Sequence, residues 1–221
     1  MNHDNVAAEH MARAPHHPGR TPDDLYLSRP PWDIGRPQPA FLALADAGAI
    51  RGRVLDTGCG TGEHALMAAG LGLDATGADL ASNAVQTARD KARERGLEAR
   101  FLVHDARRLG DLGESFDTIL DCGLFHLFAG EDRAAYVDAL RSVVADGGRY
   151  FMLAFSDREP RERPGRAHNL TREEIEAAFA DGWHIDSIEE ATIDSLADPE
   201  GIQAWLTAVT RLPSGNAGTA C

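Results

Sequence analysis

Cysteines are few and unpaired: Cys59, Cys122 and Cys221 form no CxxC pair, so they read as free thiols of a reducing cytoplasm. No run of about 18 apolar residues is present, and the start of the chain, with His3, His10, His16 and His17, is polar rather than basic and then apolar. A membrane span and a secretory signal are therefore not expected. Positive charge is scarce, with 22 Lys and Arg against 35 Asp and Glu and a net charge of −13, which leaves no broad field to neutralise phosphates and disfavours a nucleic-acid partner. The local cluster Arg158, Arg161, Arg163 and Arg166 reads as a solvated loop. His104, His126, His168 and His184 lack paired ligand spacing, so no metal is expected, and no serine sits in a nucleophile elbow. Internal repeats and low-complexity tracts are also missing.

At 221 residues the chain suits one domain. Residues 1–24, rich in Ala, His, Pro and charge without a period, are expected to be mobile, with order beginning near Leu25 and an N-terminal cap over 25–48 leading into a single domain over 25–221. The prolines of Pro30 to Pro37 exclude an interior helix or a central strand, and Pro39 to Gly48 reads as a helix. From there strands expected at Arg53–Asp56, Asp74–Asp79, Arg100–His104, Phe116–Asp121 and Arg149–Phe155 alternate with helices near Gly62–Ala69, Ser82–Arg95 and Asp132–Ala145. That pattern predicts an α/β fold with a doubly wound, mostly parallel sheet. Ser82 reads as an N-cap, Gly96 as a helix C′ residue, Gly147-Gly148 as a helix stop, and Thr171 to Glu174 as a capping box opening a helix to Ala180. Trp183–Ile193 and Gln203–Leu212, with no helix between them, predict a terminal antiparallel pair.

The most telling segment is Val54-Leu-Asp56-Thr-Gly58-Cys-Gly60-Thr-Gly62-Glu-His-Ala65, a buried strand breaking into a glycine turn that opens a helix. A dinucleotide fingerprint would place its third glycine at position 63, which is Glu63, and NAD also brings a pyrophosphate that this carboxylate would repel. Acids fall in register over the sheet's carboxyl edge: Asp56, Asp79, Asp105 and Asp121. An acid two residues before the first glycine, followed by glycines at every second position, resembles motif I of the class I S-adenosylmethionine (SAM) dependent methyltransferases. That resemblance implies a Rossmann-like seven-stranded sheet ending in an antiparallel pair, and SAM as cofactor with S-adenosylhomocysteine as its product.

The resemblance assigns Asp79 to the ribose hydroxyls, Leu80 to the adenine face, and Asp105 with His104 and Ala106 to the adenine edge. Asp56, Thr57, Gly58, Cys59, Gly60, Gly62 and the carbonyl of Asp121 or Cys122 would surround the amino-acid end, where an ammonium wants acceptors and a helix N-terminus favours the carboxylate. His126 reads either as the base that deprotonates an acceptor or as a buried histidine with a satisfied backbone bond. Trp32 reads either as an aromatic closing over cofactor and acceptor or as a core anchor. Phe125 and Phe128 are expected as further flat walls of the acceptor site.

Pro-Pro-Trp32-Asp-Ile-Gly-Arg-Pro and Asp121-Cys-Gly-Leu-Phe-His126 resemble the small-molecule branch of thiopurine and halide or thiol methyltransferases, and mycobacterial enzymes that methylate heterocyclic toxins such as hydroxyquinolones. This implies a cytoplasmic monomer or homodimer that detoxifies small molecules by methylating a heteroatom (O, N or S) of an aromatic heterocycle. A thiol or halide acceptor is the alternative, followed by a non-catalytic SAM-binding module and an NAD-dependent oxidoreductase. The short 157–169 connection leaves little room for a macromolecular acceptor.

Overall fold

A computed structural model describes residues 21–161 and 167–213 of the chain. Strands β1 (Arg53–Thr57), β2 (Asp74–Asp79), β3 (Ala99–Val103), β4 (Phe116–Cys122), β5 (Val144–Phe155), β6 (Trp183–Ser195) and β7 (Asp198–Arg211) form one seven-stranded sheet in the order β3-β2-β1-β4-β5-β7-β6. The first five strands pair in parallel, while β7 runs antiparallel between β5 and β6. Helices α1 (Pro39–Asp46), α2 (Glu63–Gly70), α3 (Ser82–Arg95), α4 (Gly130–Val143) and α5 (Arg172–Ala178) cover the two faces. Strand order reverses at β1 and β4, so the crevice outside their carboxyl ends is where such a sheet takes a ligand.

The central strands are apolar on both faces, and residue parity decides which core each side chain joins. Leu55 and Ile119 pack with Tyr136, Tyr150, Phe179 and Trp205 on one side. Val54 and Leu120 pack with Phe41, Phe151 and Leu153 on the other. A third cluster, with Cys59, Leu66, Val85 and Phe101, binds α2 and α3 to the sheet.

Several expected boundaries move for identifiable reasons. Residues 21–24, expected to be mobile, lead into a 3₁₀ turn over Pro22–Tyr26 with a capping box between Thr21 and Asp24. Ser82 does not cap α3; Ala81 occupies that position, and a distant acid does the capping, because Asp23 accepts from Ser82 Oγ (2.9 Å) and from the Asn83 amide (3.0 Å). Gly147-Gly148 is not a helix stop: α4 ends at Val143, β5 starts at Val144, and the glycines lie in a bulge where register slips between Phe116 and Thr118. Gly96 does end α3 in the left-handed region, and the Thr171 capping box opens α5. Arg158 and Arg161 are exposed, as expected, and also ion-paired, with Glu190 and with Glu159 and Asp198; Arg163, Arg166 and Cys221 lie outside the described residues. No helix among the described residues is long and apolar enough to cross a membrane.

Candidate active site

The floor of the crevice is the turn after β1. Its Cys59 amide donates to Ala78 O (3.0 Å), and its Gly60 amide donates to Asp79 Oδ2 (2.8 Å), so the end of β2 holds the turn in place. Asp79 Oδ1 takes the Ala81 amide (2.8 Å). Gly62, at φ 86°, allows no side chain, since a Cβ there would stand 2.7 Å from both Ala88 and Phe101. Glu63 opens α2 with its carboxylate committed to Lys91 and Arg95 of α3, at 2.8 Å each. Its charge is therefore neutralised within the protein, and the expected repulsion of a pyrophosphate does not hold; glycine spacing alone argued against NAD.

Asp56 lies under this turn, buried. Its Oδ2 accepts from the Ala65 amide (3.1 Å), while Oδ1 has no hydrogen-bond partner and faces His64 Nδ1 at 3.9 Å. Burial, reinforced by the nearby carboxylates of Asp121 and Asp79, pushes its pKa well above the ordinary carboxylate range. Asp79 is also raised by burial. Carboxyl groups destabilised as anions in this way are held ionised by a cation bound beside them.

Over the floor lies a strap formed by residues 21–38. Asp23 ties it to the first turn of α3, and the Asn83 side chain returns a bond to Asp23 O (2.8 Å). Tyr26 reaches the glycine turn, its hydroxyl 2.8 Å from where a Gly60 Cβ would be, and accepts from Trp32 Nε1 (3.3 Å). Trp32 stands edge-on to Tyr26 and is 49 % exposed, so it is not a core anchor. Behind it Arg36 pairs with Asp194 (2.6 Å), and Gln38 exchanges two bonds with the Asp194 backbone (2.8 and 3.1 Å), docking the strap on the β6–β7 hairpin.

A methyltransferase-domain family model matches residues 54–148. A 2-heptyl-1-hydroxyquinolin-4(1H)-one methyltransferase of Mycobacteroides abscessus is 36 % identical over 187 residues, 84 % of this chain and 81 % of that one. The chain belongs to the SAM-dependent methyltransferases. A solved structure from work on the conversion of a disulfide bond into a thioacetal group during echinomycin biosynthesis is 37 % identical, with TM-score 0.77 over 96 % of this chain and 94 % of that one. The SAM-bound magnesium protoporphyrin IX methyltransferase of Synechocystis PCC 6803, 22 % identical, shares the fold at TM-score 0.61 over 78 % of this chain and 76 % of that one.

The crevice of this methyltransferase fits SAM, which is doubly cationic at its sulfonium and ammonium. The buried Asp56 carboxylate, with Oδ1 unpartnered, sets a negative charge beneath the turn that suits the ammonium, and Asp79 at the end of β2 keeps acceptor capacity for a ribose hydroxyl. Gly58, Gly60 and Cys59 form the turn beneath, and half-buried Leu80 lies beyond β2. Asp105 caps the 3₁₀ turn that opens at buried Ala106. Its carboxylate is already paired with Arg107 (2.7 Å), which also grips Asp132 (2.9 Å) and holds the Asp105 carboxyl below its usual range. His104 donates to Arg108 O (2.8 Å) through Nε2.

Several other side chains expected near the site point away from it, while the Asp121 and Cys122 carbonyls stay at the carboxyl end of β4. Thr57 Oγ1 lies 2.6 Å from Tyr136 Oη, and Asp121 Oδ2 accepts from Tyr136 (2.8 Å) and Tyr150 (2.7 Å), so both side chains build the core beneath α4. Asp121 Oδ1 takes the Leu124 and Phe125 amides (2.9 and 3.3 Å) and shapes the turn after β4. Cys122 is half-buried beside Asp56 and Asp121, its thiol pushed up by burial and their charge. Phe125 and Phe128 are buried against Phe179 and Tyr136 and cannot be acceptor walls. His126 is buried, stacked on Phe155 (4.2 Å), and its Nδ1 accepts the Phe155 amide (3.0 Å). Burial lowers its pKa to about 3, with His168 adding to the effect, so the arrangement is that of the satisfied buried histidine and not of a base. Sequence reasoning missed Asp23, Tyr26, His64 and Arg107. The Thr21-Pro22-x-Asp24 capping signature ahead of Trp32 was the available signal for the first two.

Proposed function

We propose that this methyltransferase transfers the SAM methyl group to a heteroatom of a small aromatic heterocycle of the N-hydroxyquinolone kind. What carries the reading is the 36 % identity to the hydroxyquinolone methyltransferase across 84 % of the chain. The net charge of −13 supports a small-molecule acceptor over nucleic acid, and a cytosolic detoxifying role is part of the same proposal.

Methyl transfer from a sulfonium is an in-line displacement whose leaving group needs no acid, so alignment supplies most of the rate, about 7–11 kcal/mol. A general base adds only about 10²–10⁴-fold, and only when the acceptor must lose a proton. With His126 turned to the Phe155 amide, the site favours a heteroatom that arrives already ionised, as an acidic N-hydroxy group or a thiolate does. Exposed Trp32, beside the crevice on the strap, offers a ring face against which a flat acceptor can stack.

The test is S-adenosylhomocysteine formation by the purified protein with N-hydroxyquinolones, thiols and halides in parallel. Turnover is expected with the N-hydroxyquinolone; turnover with halide alone, or with none of the acceptors, overturns the reading. A sulfur acceptor is the second reading, favoured by the likeness to the structure from the disulfide-to-thioacetal conversion, and preferential turnover of thiols would select it.

A further inference from the structure

We propose that His64 is a positioning residue for cofactor binding: its Nδ1–H orients the buried carboxylate of Asp56 toward the ammonium of SAM, and the Gln38 amide fixes the tautomer that makes this possible. The chemistry begins with a donor that cannot accept. The Gln38 backbone N–H points at His64 Nε2 (3.2 Å), so that nitrogen must offer its lone pair, and in a neutral imidazole the proton then sits on Nδ1. Nδ1 lies 3.9 Å from Asp56 Oδ1, within ion-pair range and longer than a hydrogen bond, so its N–H dipole acts on that unpartnered buried oxygen across the gap. The ring is held in place by Phe41, edge-on at 4.8 Å, and Gln38 is held by its two bonds to Asp194 of the hairpin.

The other groups around Asp56 push the opposite way or are neutral. Asp121 of β4 and Asp79 of β2 disfavour its charge, the Ala65 amide favours it, and the thiols of Cys59 and Cys122 carry no charge. Glu63 lies beside His64 but is spent on Lys91 and Arg95. Burial holds His64 itself neutral, its pKa lowered to about 4, so it acts as an oriented dipole and not as a counter-ion. One line of contacts thus runs from the hairpin through Gln38 and His64 to the acid at the cofactor's amino-acid end, and a well-docked strap sets the orientation of that acid.

Two substitutions separate the two nitrogens. His64→Gln keeps an acceptor for the Gln38 amide and removes the donor near Asp56; His64→Asn keeps a donor at the Nδ1 position and loses the acceptor. SAM affinity measured by calorimetry without acceptor, from about pH 5 to about pH 8, is expected to weaken about tenfold in His64→Gln, with the acid limb of binding moved to higher pH. His64→Asn should stay within about threefold of the parent and keep its limb. Equal losses in both variants, with the limb unmoved, would make His64 a packing residue only and overturn the proposal. Nitrogen chemical shifts of His64 in the unsubstituted protein give a second, fold-independent reading: a proton on Nε2 instead of Nδ1 overturns it as well. Both readouts need SAM alone or no ligand, so an error in the acceptor assignment leaves them untouched.

Discussion

Asp23 is the latch of the strap, and removing it should open the roof of the site while leaving the sheet intact. Its carboxylate accepts Ser82 Oγ at 2.9 Å and the Asn83 amide at 3.0 Å, at the positive end of α3. Hydrogen bonds to a charged group contribute about 1.5–3 kcal/mol when buried, but Asp23 is half-exposed, so about 0.5–1 kcal/mol apiece is the better scale. Asp23→Ala should then cost about 1–2 kcal/mol of strap closure, which is about a five- to thirtyfold shift toward the open strap. Amide hydrogen exchange over residues 22–34 should accelerate by that factor, while amides of β1 and β4 exchange as before. Because Tyr26 stands over Gly60 only when the strap is down, SAM affinity should fall by a similar factor. Faster exchange with unchanged affinity would show that the strap is not coupled to the cofactor. Unchanged exchange would show that Asp23 is not the latch.

Three further substitutions probe other contacts of the site. Asp79→Ala should lower both SAM affinity and thermal stability, because it strips the Gly60 and Ala81 amides of their acceptor; Asp105→Ala should weaken SAM with a smaller loss of melting temperature, since Arg107 retains Asp132. Calorimetry and thermal melts on the pair check this, and equal melting temperatures would refute the structural half of the argument. His126 takes up a proton in the unfolded chain near its ordinary 6.5 but in the folded protein only near about 3, so its contribution to stability is lost as pH falls through that window. His126→Phe should therefore lose less stability than the parent on acidification, by up to about 1.4 kcal/mol per pH unit in denaturant titrations. The pH profile of kcat/KM should show no limb near 6.5 that depends on His126, and a limb that vanishes in the variant would restore it as a base.

What was legible in the sequence was local. The glycine spacing from Asp56 to Gly62, the alternation of strands and helices, and the unbroken terminal strand pair each depend on neighbours a few residues away, and the sheet order β3-β2-β1-β4-β5-β7-β6 follows from them together with the family. What was not legible depends on which face a strand residue occupies and on partners far along the chain. Asp56 and Asp121 both end strands, and a sequence cannot distinguish their roles until register is known. Thr57 lies beside Asp121 and Asp56 beside Leu120, so parity sends Asp121 to the tyrosines beneath α4 and Asp56 to the opposite face with Val54 and Leu120. The same parity decides the fate of the next turn. With Asp121 taking the Leu124 and Phe125 amides from the α4 side, Phe125 is drawn into the core, and His126 is left to satisfy the Phe155 amide instead of an acceptor. The strap escaped for a different reason: Asp23 caps a helix 60 residues away, and Gln38 fixes a histidine 26 residues away, pairings that no local pattern encodes. The acids at the carboxyl edge therefore divide their work. Asp121 has its oxygens satisfied by donors from its own core and builds the wall, whereas Asp56 keeps an oxygen without a partner, and it is Asp56 that the proposal sets toward the cationic end of SAM.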